Sequence, residues 1–216
     1  MLTLASASPR RRELLERTGI ALRILPAAID EEPRPGETAM TYVKRLARDK
    51  AAATVRRIEA ALGQDPRAAG DLPPRWVLGA DTVVTVDGLL LGKPADSSEA
   101  REMLERLAGR EHHVVTGFAI LDLERDKEGI QAVTTRVRFK PMSRGEVEAY
   151  VAAGESMDKA GAYAIQGVGG YLVEAIEGSY TNVVGLPLAQ VLAMFEEMGA
   201  WDLLPYPPPG ARRPLL

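Results

Sequence analysis

Apolar positions along this chain fall into two rhythms, one of continuous short runs and one of three- and four-residue spacing. Residues 2–5 form a short apolar run that reads as a buried strand, and residues 22–26 read as a second. Between them, Ser8 suits an N-cap, Pro9 the first helical position and Gly19 the stop, with Leu14, Leu15 and Thr18 as the inner stripe. Residues 38–62 carry Val43, Leu46, Ala47, Ala51 and Val55 at helical spacing. Residues 63–74, polar and rich in Pro, Gly and Ala, predict a loop or mobile insert. The strongest strand signal is 76–86, followed by the hairpin dipeptide Asp87-Gly88 into 89–91. A helix over 97–107 with Ser97 or Ser98 as cap comes next. Strands over 113–123 and 132–139, joined by a charged turn, follow it. Ser143 and Glu146 form a capping-box pattern for a helix over 143–153, and 188–198 is the last helix. This alternation predicts an α/β fold with a mixed, twisted sheet flanked by helices, in one domain over 1–204. A cleft between two lobes would suit such a fold. The segment 205–216 holds five prolines and is expected to trail without fixed structure.

Composition narrows the chemistry. The 216 residues include no cysteine, so disulfides, thiolate nucleophiles and cysteine-bound zinc are excluded. Two adjacent histidines, His112 and His113, are too few for a His-rich metal centre. No apolar run approaches the ~20 residues of a membrane span, and the N-terminus lacks an export signal, so a cytoplasmic protein is expected. A net charge of −3 argues against a broad nucleic-acid binder. The charge is uneven, however: residues 1–57 hold twelve Lys/Arg against seven Asp/Glu. That basic quarter suggests either a local site for a small anion or a solvated helix face carrying Arg56 and Arg57.

Several motifs could carry chemistry. In Ala5-Ser6-Ala7-Ser8-Pro9-Arg10-Arg11-Arg12 a strand delivers small residues to a helix N-terminus, where free N–H groups and the dipole favour an anion. Ser6, Ser8, Arg10 and Arg11 add donors matched to phosphate oxygens. Asp30-Glu31-Glu32 offers the hard oxygen ligands that suit Mg²⁺, though three acids before a proline also read as a solvated loop. In Gly79-Ala80-Asp81-Thr82-Val83-Val84 a carboxylate interrupts an apolar strand, where it needs a cation, a metal or a polar cleft. Lys50 within its helix and Lys93 in Gly92-Lys93-Pro94 are, taken singly, ordinary surface cations. The Gly-rich stretch 158–170 places Gln166, with amide donors and an acceptor, where it could read a pyrimidine edge. It matches neither the dinucleotide fingerprint nor the P-loop.

Taken in order, these strings, with Asn182-Val183-Val184-Gly185-Leu186-Pro187, resemble the Maf family over residues 2–198. The resemblance implies an elongated α/β fold related to the inosine-triphosphate pyrophosphatases, a cleft between two lobes, and frequent homodimers. It implies hydrolysis of nucleoside triphosphates to monophosphate and pyrophosphate with Mg²⁺ or Mn²⁺, in a nucleotide-pool housecleaning role. Carried over by position, Asp81 matches the catalytic carboxylate, with Lys50 and Lys93 lining the cleft. Ser6, Arg10 and Arg11 match the phosphate-gripping loop, and Glu31 together with Asp81 the metal site. Arg11, Thr82 and Gln166 fall at positions associated with substrate choice. The string Asp158-Lys159-Ala160-Gly161-Ala162-Tyr163-x-Ile165-Gln166-Gly167 is similar to the dTTP/UTP branch, although Ala164 stands where glycine is common. The rival readings are the 7-methyl-GTP branch and a nucleotide-binding regulator of septum formation. An intact Asp81 speaks for the enzyme, because a pure binder has no need of that carboxylate.

Overall fold

The computed structural model describes residues 1–64 and 74–206. In chain order the elements are β1 (Leu2–Leu4), α1 (Pro9–Glu16), β2 (Leu22–Ile24), α2 (Ala39–Gln64), β3 (Trp76–Val86) and β4 (Leu89–Leu91). They continue with α3 (Ser97–Leu107), β5 (Glu111–Asp122), β6 (Lys127–Phe139), α4 (Arg144–Ala152), β7 (Val173–Glu177), α5 (Tyr180–Val184) and α6 (Leu188–Glu197). The strands form one mixed sheet in the order β2-β1-β3-β5-β6-β7, with β4 also pairing to β3. Both pairings of β1 are parallel, and the rest of the sheet is antiparallel.

The long strands carry two separate cores on one face. Trp76, Leu78 and Ala80 of β3, with Phe118 and Ile120 of β5, pack against Leu14 and Leu15 of α1 and Val191 and Phe195 of α6. Further along the same face, Val84, Val86 and Val114 join Leu104 of α3 and Val147 and Tyr150 of α4. The opposite face, carrying Val83 and Val115, is covered by Val43 and Leu46 of α2. A continuous strand therefore runs through both cores. This is why no composition shift marks a boundary between halves.

Helix α2 lies very close to the sheet because glycine faces it. A Cβ on Gly79 would sit 2.9 Å from Ala51 N and closer still to the Ala47 carbonyl. A Cβ on Gly117 would sit 2.8 Å from Lys44 N and closer to Val43 O. Gly117 pairs directly with Asp81 across β3 and β5, so the tightest helix–sheet approach brackets that carboxylate.

The structure departs from the sequence expectations at several places. The cap of α3 is Asp96, whose side chain accepts from Ser98 N and Glu99 N; the carboxylate reaches the first-turn donors that Ser97 and Ser98 were expected to serve. The strands β5 and β6 extend towards each other until Asp122 pairs with Lys127, so the charged turn is only 123–126. Strand β7 and helix α5 have no counterpart among the expected elements. Four of the five β7 residues are exposed, so it lacks a buried apolar pattern, and α5 is a single short turn. Helix α2 runs on to Gln64, and most of the expected 63–74 insert lies outside the described residues, as does 207–216 of the proline-rich tail.

Candidate active site

A gap in the sheet makes the site. On one edge of β3, β1 covers Trp76–Leu78 and β4 covers Val84–Val86, leaving 79–83 unpaired on that side. The gap opens into a cavity of about 390 Å³. Because successive strand side chains point to opposite faces, Asp81 turns towards α2 while Thr82 turns towards α1 and α5, yet both border the opening. The cavity brings together every expected site residue: Ser6, Arg10, Arg11, Glu31, Lys50, Asp81, Thr82, Lys93 and Gln166.

The N-terminus of α1 forms one wall. Ser8 is the N-cap but makes no side-chain cap bond, and the first turn carries arginines and no acid. Cations at a helix N-terminus oppose the macrodipole, a local conflict of the kind found where function outranks stability. Arg10 reaches across the cleft to Asp158, with Nη1 donating to Oδ2 at 3.1 Å and Nη2 to the Asp158 carbonyl at 3.4 Å. Lys159 also pairs with Asp158.

Arg11 behaves differently. It is 8% exposed. Its Nε donates to Gly185 O at 2.8 Å, Nη1 to Ser6 Oγ at 3.1 Å and Ala80 O at 2.8 Å, and Nη2 to Thr82 Oγ1 at 3.0 Å. Of the five guanidinium donors, these bonds leave one. Burial draws Arg11 below its ordinary value, with Asp81 opposing, but the guanidinium stays charged. Its work is to clip α1, the β3 gap and the α5–α6 loop together, closing the Ala80 carbonyl that β1 leaves unpaired. Ser6 Oγ in turn accepts from Ser8 N at 3.2 Å, fixing the turn into α1.

On the other side, Lys50 sits between two carboxylates, 2.6 Å from Asp81 Oδ1 and 2.8 Å from Glu31 Oε1. Asp81 is 8% exposed, and its Oδ2 has no protein partner among the described residues. Tyr42 donates its hydroxyl to Glu31 O at 2.8 Å and so holds the acidic loop against α2. Burial, with Asp81 and Glu31 nearby, pushes the Tyr42 phenol up to about 12. Lys93, exposed two residues beyond β4, has no ion pair among the described residues. Gln166 lies half-buried across the opening, in the loop between two 3₁₀ turns at Ala160–Ala162 and Val168–Leu172. Tyr42, Asp158, Lys159 and Tyr163 are among the cleft residues to which sequence reasoning assigned no role. The signals of Tyr42 and Asp158 are contacts to Glu31 and Arg10, eleven and 148 residues away, which no local pattern contains.

The donors present fit a divalent cation that arrives with phosphate. Asp81 and Glu31 supply hard oxygens on either side of Lys50, and Mg²⁺ takes one or two carboxylates when phosphates and water complete its shell. Among the described residues no group of three or more His, Cys, Asp or Glu could hold a metal unaided.

The sequence profile described as Maf-like protein matches residues 1–198. The chain belongs to the Maf family. A relative from Geobacter sulfurreducens, named dTTP/UTP pyrophosphatase, is 49% identical over 199 residues, covering 92% of this chain and 97% of that one. Relatives of the same name from Myxococcus xanthus and Syntrophus aciditrophicus are 49% and 44% identical, each over 92% of this chain and 93% and 90% of theirs. The Maf match includes every cleft residue named above and stops short of the Trp201–Leu203 turn. Among the described residues no helix is long and apolar enough to cross a membrane.

Proposed function

We propose that this Maf protein hydrolyses nucleoside triphosphates, dTTP and UTP foremost, to the monophosphate and pyrophosphate, clearing unwanted nucleotides from the pool. The observation that carries this reading is the buried Asp81 carboxylate, one oxygen held by Lys50 and the other open to a cleft ringed by Arg10, Lys50 and Lys93. Relatives named dTTP/UTP pyrophosphatase at nearly half identity over the same residues support the substrate.

Arg10, Ser6 and the α1 N-terminus bind the phosphate chain, with the open donor of Arg11 and the ammonium of Lys93 beside them. Binding displaces Asp158 from Arg10, exchanging a carboxylate for phosphate oxygens. Asp81 Oδ2 orients the attacking water towards the α-phosphorus, and Lys50 holds the carboxylate in place. As the water oxygen bonds to the α-phosphorus, the bond to the α–β bridging oxygen breaks and pyrophosphate leaves. The cations stabilise charge growing on that leaving group, and losing one such preorganised donor typically costs about 100-fold in rate. Mg²⁺ or Mn²⁺, held by Asp81 and Glu31, would neutralise phosphate oxygens. Gln166, across the cleft, supplies amide donors and an acceptor to the pyrimidine edge, and Thr82 positions the Arg11 guanidinium through its hydroxyl.

The test is pyrophosphate release by purified protein over dTTP, UTP, CTP, GTP and 7-methyl-GTP with Mg²⁺ or Mn²⁺. The expected result is highest kcat/KM on dTTP and UTP. Preference for 7-methyl-GTP would transfer the chain to the other substrate class, and no turnover of any nucleotide would sink the enzyme reading. Run in heavy-oxygen water, the reaction should label the monophosphate; label in the pyrophosphate would place the attack on the β-phosphorus.

A further inference from the structure

The loop carrying Gln166 has little rigidity of its own. It is bounded by Gly161, Gly167, Gly169 and Gly170, and it lies outside the sheet. A side chain meant to read a base must nevertheless be held to a fraction of an ångström. The anchor is Glu155, in the turn after α4. Its carboxylate accepts from Val168 N at 3.0 Å and from Gly169 N at 3.0 Å. Tyr150 of α4, 2% exposed, bridges the other limb of the loop. Its hydroxyl donates to Glu155 Oε2 at 3.3 Å and accepts from Ala164 N at 3.1 Å. Both limbs flanking Gln166 thus hang from one carboxylate–phenol pair at the C-terminal end of α4. Lys159 Nζ donates to the Glu155 carbonyl at 2.6 Å and ties the anchor to the preceding turn.

The glycines follow from this arrangement. Gly167 has φ +76°, and a Cβ there would overlap Glu155 Oε1; a Cβ on Gly169 would overlap the Tyr150 hydroxyl. The backbone can approach the carboxylate only where no side chain intervenes. The Val168 N–H bond, with burial opposing, holds the Glu155 carboxyl below its ordinary value, so the anchor stays ionised. Glu155 does not border the cavity.

We propose that Glu155, with Tyr150, is a positioning residue for base selection, setting the Gln166 loop without contacting the nucleotide. This rests on the reading of Gln166 as the base contact. It separates two halves of the cleft: the phosphate half is built on α1, α2 and β3, whereas the base half hangs from α4.

The test uses the full chain with Glu155→Gln, Tyr150→Phe and Gln166→Ala, measuring kcat and KM for dTTP and GTP and inhibition by pyrophosphate. An amide at 155 must turn its NH₂ towards one of the two backbone donors, so the loop loses a bond and shifts. The expected result for Glu155→Gln and Tyr150→Phe is a rise in KM for dTTP of about ten-fold and a loss of preference over GTP. Pyrophosphate, which occupies only the phosphate half, should inhibit with a constant within about two-fold of wild type. Equal losses for dTTP and pyrophosphate would overturn the proposal in favour of a general structural role, as would unchanged selectivity in both anchor variants. If Gln166→Ala leaves selectivity intact, the base-reading assignment fails and this proposal with it. If Gln166→Ala lowers selectivity while the anchor variants do not, only the positioning role fails.

Discussion

The distance between α2 and the sheet decides whether Lys50 meets Asp81, and single methyl groups can test it. In Gly79→Ala the new Cβ would stand 2.9 Å from Ala51 N and nearer to the Ala47 carbonyl, where unstrained contact needs about 3.5 Å. Relief requires α2 to retreat by on the order of 1 Å, because both neighbours are backbone and cannot rotate away. Overpacking of this kind costs about 1–3 kcal/mol, equivalent in a domain of this size to a Tm lower by about 2 to 12 °C. The functional loss should be larger in proportion. Lys50 Nζ lies 2.6 Å from Asp81 Oδ1, so a shift of this size breaks the contact that sets the carboxylate. Misplacement by about 1 Å typically costs about 100-fold in rate. Gly117→Ala, across the ladder from Asp81, should do the same. Thermal unfolding and kcat/KM for dTTP measure the two effects. Leu203→Ala is the control: Leu203 is 5% exposed in the α6 core and off the cleft, so about 2–5 kcal/mol of stability should go with kcat unchanged. Glycine variants with wild-type Tm and kcat/KM would refute the close approach. Variants that lose stability but keep full kcat/KM would refute its link to catalysis.

Other expectations follow from particular contacts. Arg11→Lys removes the fork that serves Gly185, Ser6, Ala80 and Thr82; stability should fall by on the order of 3 kcal/mol and kcat/KM with it, and a variant matching wild type in both would show the clip to be idle. Burial, aided by His113, lowers His112 from 6.5 to about 4. The unfolded chain therefore takes up its proton first as pH falls, and stability is lost between those two values, by on the order of 3 kcal/mol. Urea unfolding of wild type against His112→Phe across that window should show the slope in wild type alone; parallel curves would exclude His112 as its source. Chelation of divalent metal should abolish turnover, reversibly, while leaving Tm within about 1 °C, since among the described residues no ligand cluster links metal to folding. A large drop in Tm on chelation would mean a resident structural ion.

Periodicity revealed those elements whose burial is continuous along their length. The α2 stripe and the 76–86 run appeared at nearly their true bounds because α2 lays one face on the sheet and β3 is covered on both of its faces. Asp81 was legible as well, as a carboxylate in an apolar strand. Lys50 and Lys93 were not distinguishable from surface residues except through the order of motifs along the whole chain. Tyr42, Glu155 and the edge strand β7 escaped altogether. Glu155 looks like any loop acid, because its partners are backbone N–H groups thirteen and fourteen residues on. The gap in the β3 edge is a property of two short strands pairing on either side of it, and no segment read alone contains it.

The most direct measurement is pyrophosphate release from dTTP by wild type and Asp81→Asn side by side, with nucleotide binding measured on both. The expected result is loss of about 100-fold or more in kcat with dTTP still bound, since the amide keeps the shape but not the charge that orients the water. Near-wild-type turnover by Asp81→Asn would contradict the assignment of the buried carboxylate as the centre of the reaction.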